Sequence, residues 1–264
     1  MLTAVKKLHF VWTCWKLNLS GAMEFRTSFL LTAGMMLVNN MVWIFFWGVY
    51  FQRFPLVNGW ELRDVMMMWA VSAGGYGLSA VFFGNASQLA YLVAHGQLDV
   101  FLAQPKPVLL HVLVSRMSVS AIGDIVFALL LFLFFGDWTL LGVLKFAAAL
   151  LIAMVIFTFF MVIVQSLAFF IGNAEGIGQQ MNISFITLAT YPTDIFRGIG
   201  RMMLFAVIPA GFISYMPIGF LRENDVSFTI AAIAAAAGLA CFGTWFFYRG
   251  LKRYSSGNMT AMRV

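Results

Sequence analysis

The sequence predicts an all-α integral membrane protein with six transmembrane helices. It adds an N-terminal interfacial amphipathic helix over residues 1–22 and a re-entrant helical hairpin over 191–220, between spans 5 and 6. Three observations carry this. First, 62% of the 264 residues are apolar and 10% are charged, against roughly 25% charged in ordinary soluble domains. Second, apolar runs reach the ~20 residues that cross ~30 Å of hydrocarbon. Lipid offers backbone groups no partners, so such runs are helices or closed barrels, and continuous rather than alternating apolarity selects helices. Third, the stretch YPTDIFRGIGRMMLFAVIPAGFISYMP, 191–217, holds three of the six prolines together with Asp194, Arg197 and Arg201. It is greasy and repeatedly broken at once.

The elements follow in order. Over 1–22, Leu8, Trp12, Trp15 and Leu19 form one helical stripe, and Lys6, His9, Thr13, Lys16 and Ser20 form the opposite one. That pattern suits a helix lying on the membrane. No cleavable signal is visible in this segment. Span 1 is expected over 27–50, followed by the aromatic loop 51–63, and span 2 over 64–84. A more polar segment, 84–107, ends in Pro105-Lys106-Pro107. Span 3 is expected over 108–135, the turn Gly136-Asp137-Trp138 closes it, and span 4 runs over 140–172. A polar turn over 172–180 leads to span 5, 178–190. Only ~13 residues precede Pro192, below the ~20 of a full crossing, and about 25 more remain before the polar loop at 222–226. That length suits a hairpin that dips into the outer leaflet and returns, with prolines at the bends. Irregular backbone at that depth must be buried in protein or line a wet cavity. Span 6 is expected over 227–248.

An even number of spans puts both termini on one side. Lys6, Lys7, Lys16 and Arg26 at one end and Arg249, Lys252, Arg253 and Arg263 at the other make up eight of the sixteen Lys and Arg. The positive-inside rule then makes both termini cytoplasmic. Segments 84–107 and 172–180 share that side, and 51–63, 136–139 and 221–226 face out. The net charge of +6 belongs to topology, with no basic, aromatic-interleaved patch for nucleic acid. Cys14 and Cys241 lie in separate segments with no metal spacing and no expected disulfide.

No catalytic constellation is present. The sequence has no HExxH, no nucleophile elbow in a span, no CxxC and no GxxxxGK[ST], so the chain carries no P-loop of its own. Few charges fall inside spans. Asp124 sits mid-span 3, an expensive place for a carboxylate. Arg116 lies two turns nearer the cytoplasm on about the same face. The reading is an ion pair, a neutral hydrogen-bonded Asp against another helix, or a substrate or proton role. Asn39, Asn40 and Gln165 suit interhelical hydrogen bonds. Gly74, Gly75, Gly77 and Ser79 give span 2 a small-residue face. Asp194, Arg197 and Arg201 fall at i, i+3 and i+7, one helical face. In 84–107, Gln88, Leu92, His95 and Asp99 lie at helical spacing, and the segment is expected to hold a polar helix of about twelve residues, short for a span, closed by Gly96 and then by Pro105 and Pro107. That helix is either a plain surface helix or a docking knob for a cytoplasmic partner.

Three blocks resemble the six-span permease subunit of ABC-2 type transporters, in particular permeases that accompany a separate ATPase and a second permease. In LVAHGQLDVFLAQPKP, Gly96, Leu98, Asp99, Leu102 and Pro105 match the family pattern. In SLAFFIGNAEGI the matches are Phe169, Phe170 and Glu175. In the broken stretch they are Tyr191, Pro192, Ile195, Phe196, Pro209, Phe212 and Pro217. The chain departs from the family at Ala94, His95, Gln97 and Gln104, where charged residues are common, so its coupling surface is less charged. The resemblance implies a single permease domain over 1–264, multi-pass in a bacterial-type inner membrane. It implies a second permease (homologous or a second copy) and a cytoplasmic ATPase dimer that uses ATP with Mg²⁺, while this chain binds no cofactor. Gln88, Leu92, His95, Gly96, Gln97, Leu98, Asp99 and Pro105 would then couple to the ATPase. Tyr191, Pro192, Asp194, Arg197, Arg201, Pro209 and Pro217 would form an outer gate. Export is the expected direction. The competing expectation is a stand-alone channel or proton-coupled carrier using Asp124 and Asp194. A membrane-embedded enzyme is a third.

Overall fold

The structure is a computed structural model that describes residues 4–171 and 174–255; residues 1–3 of the expected N-terminal helix, the turn residues Gly172 and Asn173, and 256–264 with Arg263 lie outside the described residues. All regular structure within them is helical. Helix α1, Ala4–Ala22, leads into α2, Arg26–Arg53, and α3, Leu62–Phe82. A 3₁₀ turn, Gly84–Gln88, opens a cluster of short helices: α4, Leu89–Ala94; α5, Asp99–Leu102; α6, Val108–Val114. Then come α7, Ser120–Phe135, and α8, Leu140–Gln165, which a 3₁₀ turn extends to Phe169. Helix α9, Ala174–Ala189, precedes α10, Ile199–Ala206, and α11, Ala210–Ser214. A π-helical turn, Pro217–Arg222, leads to α12, Val226–Leu251.

Among the described residues, α2, α3, α8 with its extension, and α12 are long and apolar enough to cross a membrane. The bent pair formed by α10 and Ala210–Arg222, folded by 91°, could supply a fifth span. Helices α7 and α9 also connect the two ends of the bundle, but each has 16 residues, about 24 Å at 1.5 Å per residue. The expectation of six crossings therefore depends on two short helices.

Helix α3 is the axis. Of its most apolar window 72% is buried, against 6% for α2. The small-residue face read from the sequence is the reason. A Cβ on Gly74 would meet Leu150 Cδ2 at 2.6 Å and Ala128 Cβ at 2.8 Å, and one on Gly75 would collide with Ala153. Glycine thus lets α7 and α8 approach the α3 backbone, the small-residue packing of membrane helices. Helix α2 leans on α7, where a Cβ on Gly123 would strike the Ala33 carbonyl, and α12 lies along α8.

Local chemistry starts these helices. Glu61 and Asp64 form a capping box on α3, with Glu61 N–H donating to Asp64 Oδ2 at 3.0 Å. Gly142 N–H donates to Thr139 Oγ1 at 3.0 Å to cap α8, and Ser227 and Phe228 N–H donate to Asp225 Oδ1 to cap α12. Between α2 and α3, Asn58 and Gly59 have φ of 52° and 83°, and Val57 and Trp60 exchange backbone hydrogen bonds. That is a primed two-residue turn.

One expected continuity fails, and one expected helix stop holds. Span 3 is not one helix over 108–135: it breaks over 115–119 between α6 and α7. The orphan carbonyls at the end of α6 are met by side chains. Asn85 Nδ2 donates to Val112 O at 3.1 Å and Asn18 Nδ2 to Val114 O at 2.9 Å. In 84–107 the 3₁₀ turn Gly84–Gln88 runs into α4, and this helical stretch closes at Gly96, as expected. Helix α4 stops at Ala94, because Gly96 (φ 70°) lets Gln97 N–H reach back to Leu92 O at 3.0 Å, a Schellman closure.

Candidate functional site at the two ends of the bundle

One end of the bundle carries α1, the last turn of α12 and the short helices α4–α6. Helix α1 divides into three faces. Trp15 donates to Phe82 O at 2.9 Å and Asn18 to Val114, which fixes the helix to the bundle. Leu8, Trp12 and Leu19 are exposed, as are Lys6, His9, Thr13 and Lys16. The expected stripes are present, with Trp15 turned inward from the apolar one.

Segment 84–107 is fastened to this end. Leu92 and Leu98 are buried. Phe101 and Phe10 each contact the His111 ring edge-on, at 4.9 and 5.2 Å, and Lys106 Nζ sits 4.0 Å over Phe10. Asp99 lies against Tyr254, whose hydroxyl is pushed up to about 12 by burial and by Asp99. What remains outward is His95, stacked on Tyr91 at 4.0 Å, with Gln97, Val100, Leu102 and Pro105. The Schellman turn rotates α5 relative to α4, so Gln88, Leu92, His95 and Asp99 do not share one helical face. Gln88 instead faces a cavity at the base of α3, Leu92 and Leu98 serve as anchors, and Val100 and Leu102 replace them on the exposed surface. Exposure of those two apolar residues at a tight turn was not read from the sequence.

At the opposite end, loop 54–61 docks on the broken stretch. Trp60, 1% exposed, donates from Nε1 to Asp194 Oδ2 at 2.8 Å. Arg201 Nη1 lies 3.2 Å from Asp194 Oδ1. Asp194, Arg197 and Arg201 are not on one helix: Asp194 sits in a 3₁₀ turn, and Gly198 (φ 55°) restarts the chain into α10. The pair forms because the chain folds back, while Arg197 is exposed. Tyr191 and Pro192 help enclose a cavity of about 180 Å³ with Trp47, Phe51 and Trp60. Pro209 starts α11 and Pro217 the π-helical turn, both buried. Arg222 pairs with Asp64 at the start of α3, clipping the far end of the stretch. Trp60 was missed from sequence; the Asn58-Gly59 pair, a strong turn signal, could have placed it.

Between the ends, Asp124 is 3% exposed and accepts from Asn40 Nδ2 at 2.6 Å. Its other oxygen has no protein partner. Of the three readings left open, hydrogen bonding across helices is the one this geometry displays. Arg116 does not pair with Asp124, because the 115–119 break carries Arg116 into the cavity at the base of α3. Gln165 ties α8 to the 84–88 turn, donating to Ser87 O at 2.9 Å and accepting from Ala90 N–H at 3.2 Å. Among the described residues no group of His, Cys, Asp and Glu could hold a metal ion.

No curated protein and no solved structure shows significant similarity to the chain. The ABC-2 family transporter protein family matches residues 37–257, which takes in α3 through α12, the outward α5 turn and the bent stretch 199–222. The chain is therefore a member of the ABC-2 transporter family, a membrane permease subunit of an ABC transporter rather than its ATPase.

Proposed function

We propose that this chain is the six-crossing permease of an exporter in a bacterial-type inner membrane, with both termini cytoplasmic. It forms its conduit with a second permease, homologous or a second copy, and is driven by a separate ATPase dimer that uses ATP with Mg²⁺. Segment 84–107 is the coupling region, and the broken stretch 191–220 is an outer lid. The observation that carries the reading is the α5 turn. It presents Val100, 64% exposed, and Leu102, 40% exposed, on a support fixed from behind by Leu98, Phe101, Lys106 and Tyr254. An exposed apolar knob on a rigid base suits a groove in a partner protein. Closure of the ATPase dimer would push that base as a rigid body.

The lid reading is supported by the fold-back itself. The stretch is clipped at both margins, by Trp60 to Asp194 and by Asp64 to Arg222. Between the clips it bends by 91°. A segment that is held at its margins and folded between them can hinge without leaving the bundle.

The test is co-purification. The tagged permease, extracted in mild detergent from cells that express the neighbouring transport proteins, should bring down an ATPase and a second permease. A His95→Glu, Val100→Asp variant changes only exposed side chains and leaves the Asp99–Tyr254 contact intact. It should lose the ATPase while remaining folded. Purification of the parent alone, or of the same partners with parent and variant, would refute the coupling role.

A further inference from the structure

The cavity at the base of α3 measures about 530 Å³ and opens at the end that carries α1, within the range of small-ligand sites. The helix break makes it. Gly84 N–H donates to Arg116 O at 3.1 Å and Ser118 N–H to Ala80 O at 2.9 Å. These bonds hold 115–119 as open backbone beside the end of α3 and turn Arg116, Ser118 and Ser120 toward the space. Ser87 and Gln88 line the facing side, and Gln179 and Asn182 of α9 line the wall. Tyr76 also lines it and interacts with Asn182 and Asp124.

The chemistry of this lining is one-sided. It has a single cation, several hydroxyls and carboxamides, and no carboxylate. The Arg116 side chain is exposed and forms no ion pair among the described residues, and its one recorded hydrogen bond uses the backbone carbonyl. Asn182 Oδ1 is buried without a partner. An arginine in a ring of neutral hydrogen-bonding groups suits an anion that also carries hydroxyls. It disfavours organic cations, which would meet Arg116 and find no carboxylate in the lining. One wall is Thr32 of α2, next to Leu30, Leu31 and Met35, all exposed on a helix that is largely unburied. An acyl chain could lie along that flank.

We infer that this cavity is the loading site for the cargo's head group, and that the head is an anionic, hydroxyl-bearing group such as a phosphorylated polyol. This rests on the permease reading above and adds a substrate class to it. Arg116 takes the anion. Ser118, Ser120, Gln179 and Asn182 take the hydroxyls.

The experiment measures binding to the full chain in detergent, without ATPase. Three probes are used: phosphatidylglycerol, phosphatidylcholine and free glycerol 3-phosphate, with retained ligand counted by native mass spectrometry. The parent should retain phosphatidylglycerol at least about tenfold over phosphatidylcholine, a difference of about 1.4 kcal/mol. Arg116→Gln should erase the preference, Arg116→Lys should keep part of it, and Lys6→Gln, on the water face of α1, should leave it unchanged. Should Arg116→Gln fail to fold, a Ser118→Ala, Gln179→Leu variant reads the same site and should weaken retention severalfold. Displacement of phosphatidylglycerol by glycerol 3-phosphate assigns the head alone as ligand; Arg116-dependent retention without displacement assigns a lipid-linked head. Equal retention of the two lipids, or a preference that survives Arg116→Gln, overturns the inference. Because no ATPase is present, that failure leaves the coupling test standing, and failure of the coupling test leaves the binding result standing.

Discussion

Helix α2 buries little of its surface, and the bond between Asn40 and Asp124 is the feature to perturb. Most of α2 faces outward, and its polar tie to the bundle interior is the 2.6 Å bond from Asn40 to Asp124 on α7. Asn40→Leu removes the one protein partner of a carboxyl group whose other oxygen already has none. Interhelical side-chain bonds in lipid average about 0.6 kcal/mol and reach about 1.7. Leaving a buried polar group unmade adds to that, for a total of about 1–3 kcal/mol. Asp124→Leu orphans the Asn40 amide and should cost a similar amount. Replacing both leaves no orphan, so the double variant should cost about 1 kcal/mol or less instead of the additive 2–6. The assay is reversible unfolding in bicelles across the four proteins of the cycle. The stacked pair Trp43 and Trp69, centroids 5.0 Å apart between α2 and α3, offers a fluorescence report on α2 docking. Additivity within about 0.5 kcal/mol would refute the argument, since the two residues would then act independently.

The other predictions concern packing, the α5 turn, the pair Asp194–Arg201 and the turn at Asp137. Gly75→Leu should destabilise by at least about 1–3 kcal/mol by forcing α3 from Ala153, read as lost monodispersity in detergent. Gly96→Ala should cost roughly 1–2 kcal/mol of left-handed strain at φ 70° and should lower transport-stimulated ATP turnover more than thermal stability. Arg201→Gln should change stability by no more than about 1 kcal/mol, because its pair with Asp194 is 50% and 26% exposed. In a transport assay the same variant should alter flux if the stretch is a lid. Bonds from the Thr139 N–H and hydroxyl hold the Asp137 carboxyl below the usual carboxylate range. Its contribution is complete above the ordinary carboxylate value and is lost as pH falls through the lower folded value. Asp137→Asn should therefore flatten the acid limb of a stability profile.

Much of the architecture was legible because membrane helices announce themselves. Apolar length placed α2, α3, α8 and α12 within a few residues, and the glycines of α3 foretold the closest packing. The prolines of 191–217 foretold a break in the chain, which bends by 91° there, and Asn40 and Gln165 foretold hydrogen bonds across helices. The breaks inside apolar runs were not legible. Nothing local in VLVSRMSVSAI demands an interruption. The interruption is stabilised by Asn18 and Asn85, distant in sequence, which satisfy carbonyls that a continuous helix would have used itself. The cavity at the base of α3 was hidden for the same reason: its lining comes from six elements spread from Thr32 to Asn182. The closure at Gly96 was partly visible, since glycine before a polar residue is a common helix stop. Its effect, turning Val100 and Leu102 outward, depends on what Leu98 and Phe101 find to pack against.

The pins on the 115–119 break also decide where a mechanical load would travel. A push on α5 reaches α6 through Phe101 and His111, and α6 ends at Val114. Past that point the recorded backbone bonds lead to Ala80 and Gly84, at the foot of α3. If segment 84–107 is the coupling region proposed above, the stroke would leave it sideways into the axial helix instead of continuing up its own strand of chain. Helix α3 touches α7, α8, α11 and the π-helical turn, so a displacement entering at its foot would reach the far end of the bundle along a single stiff rod.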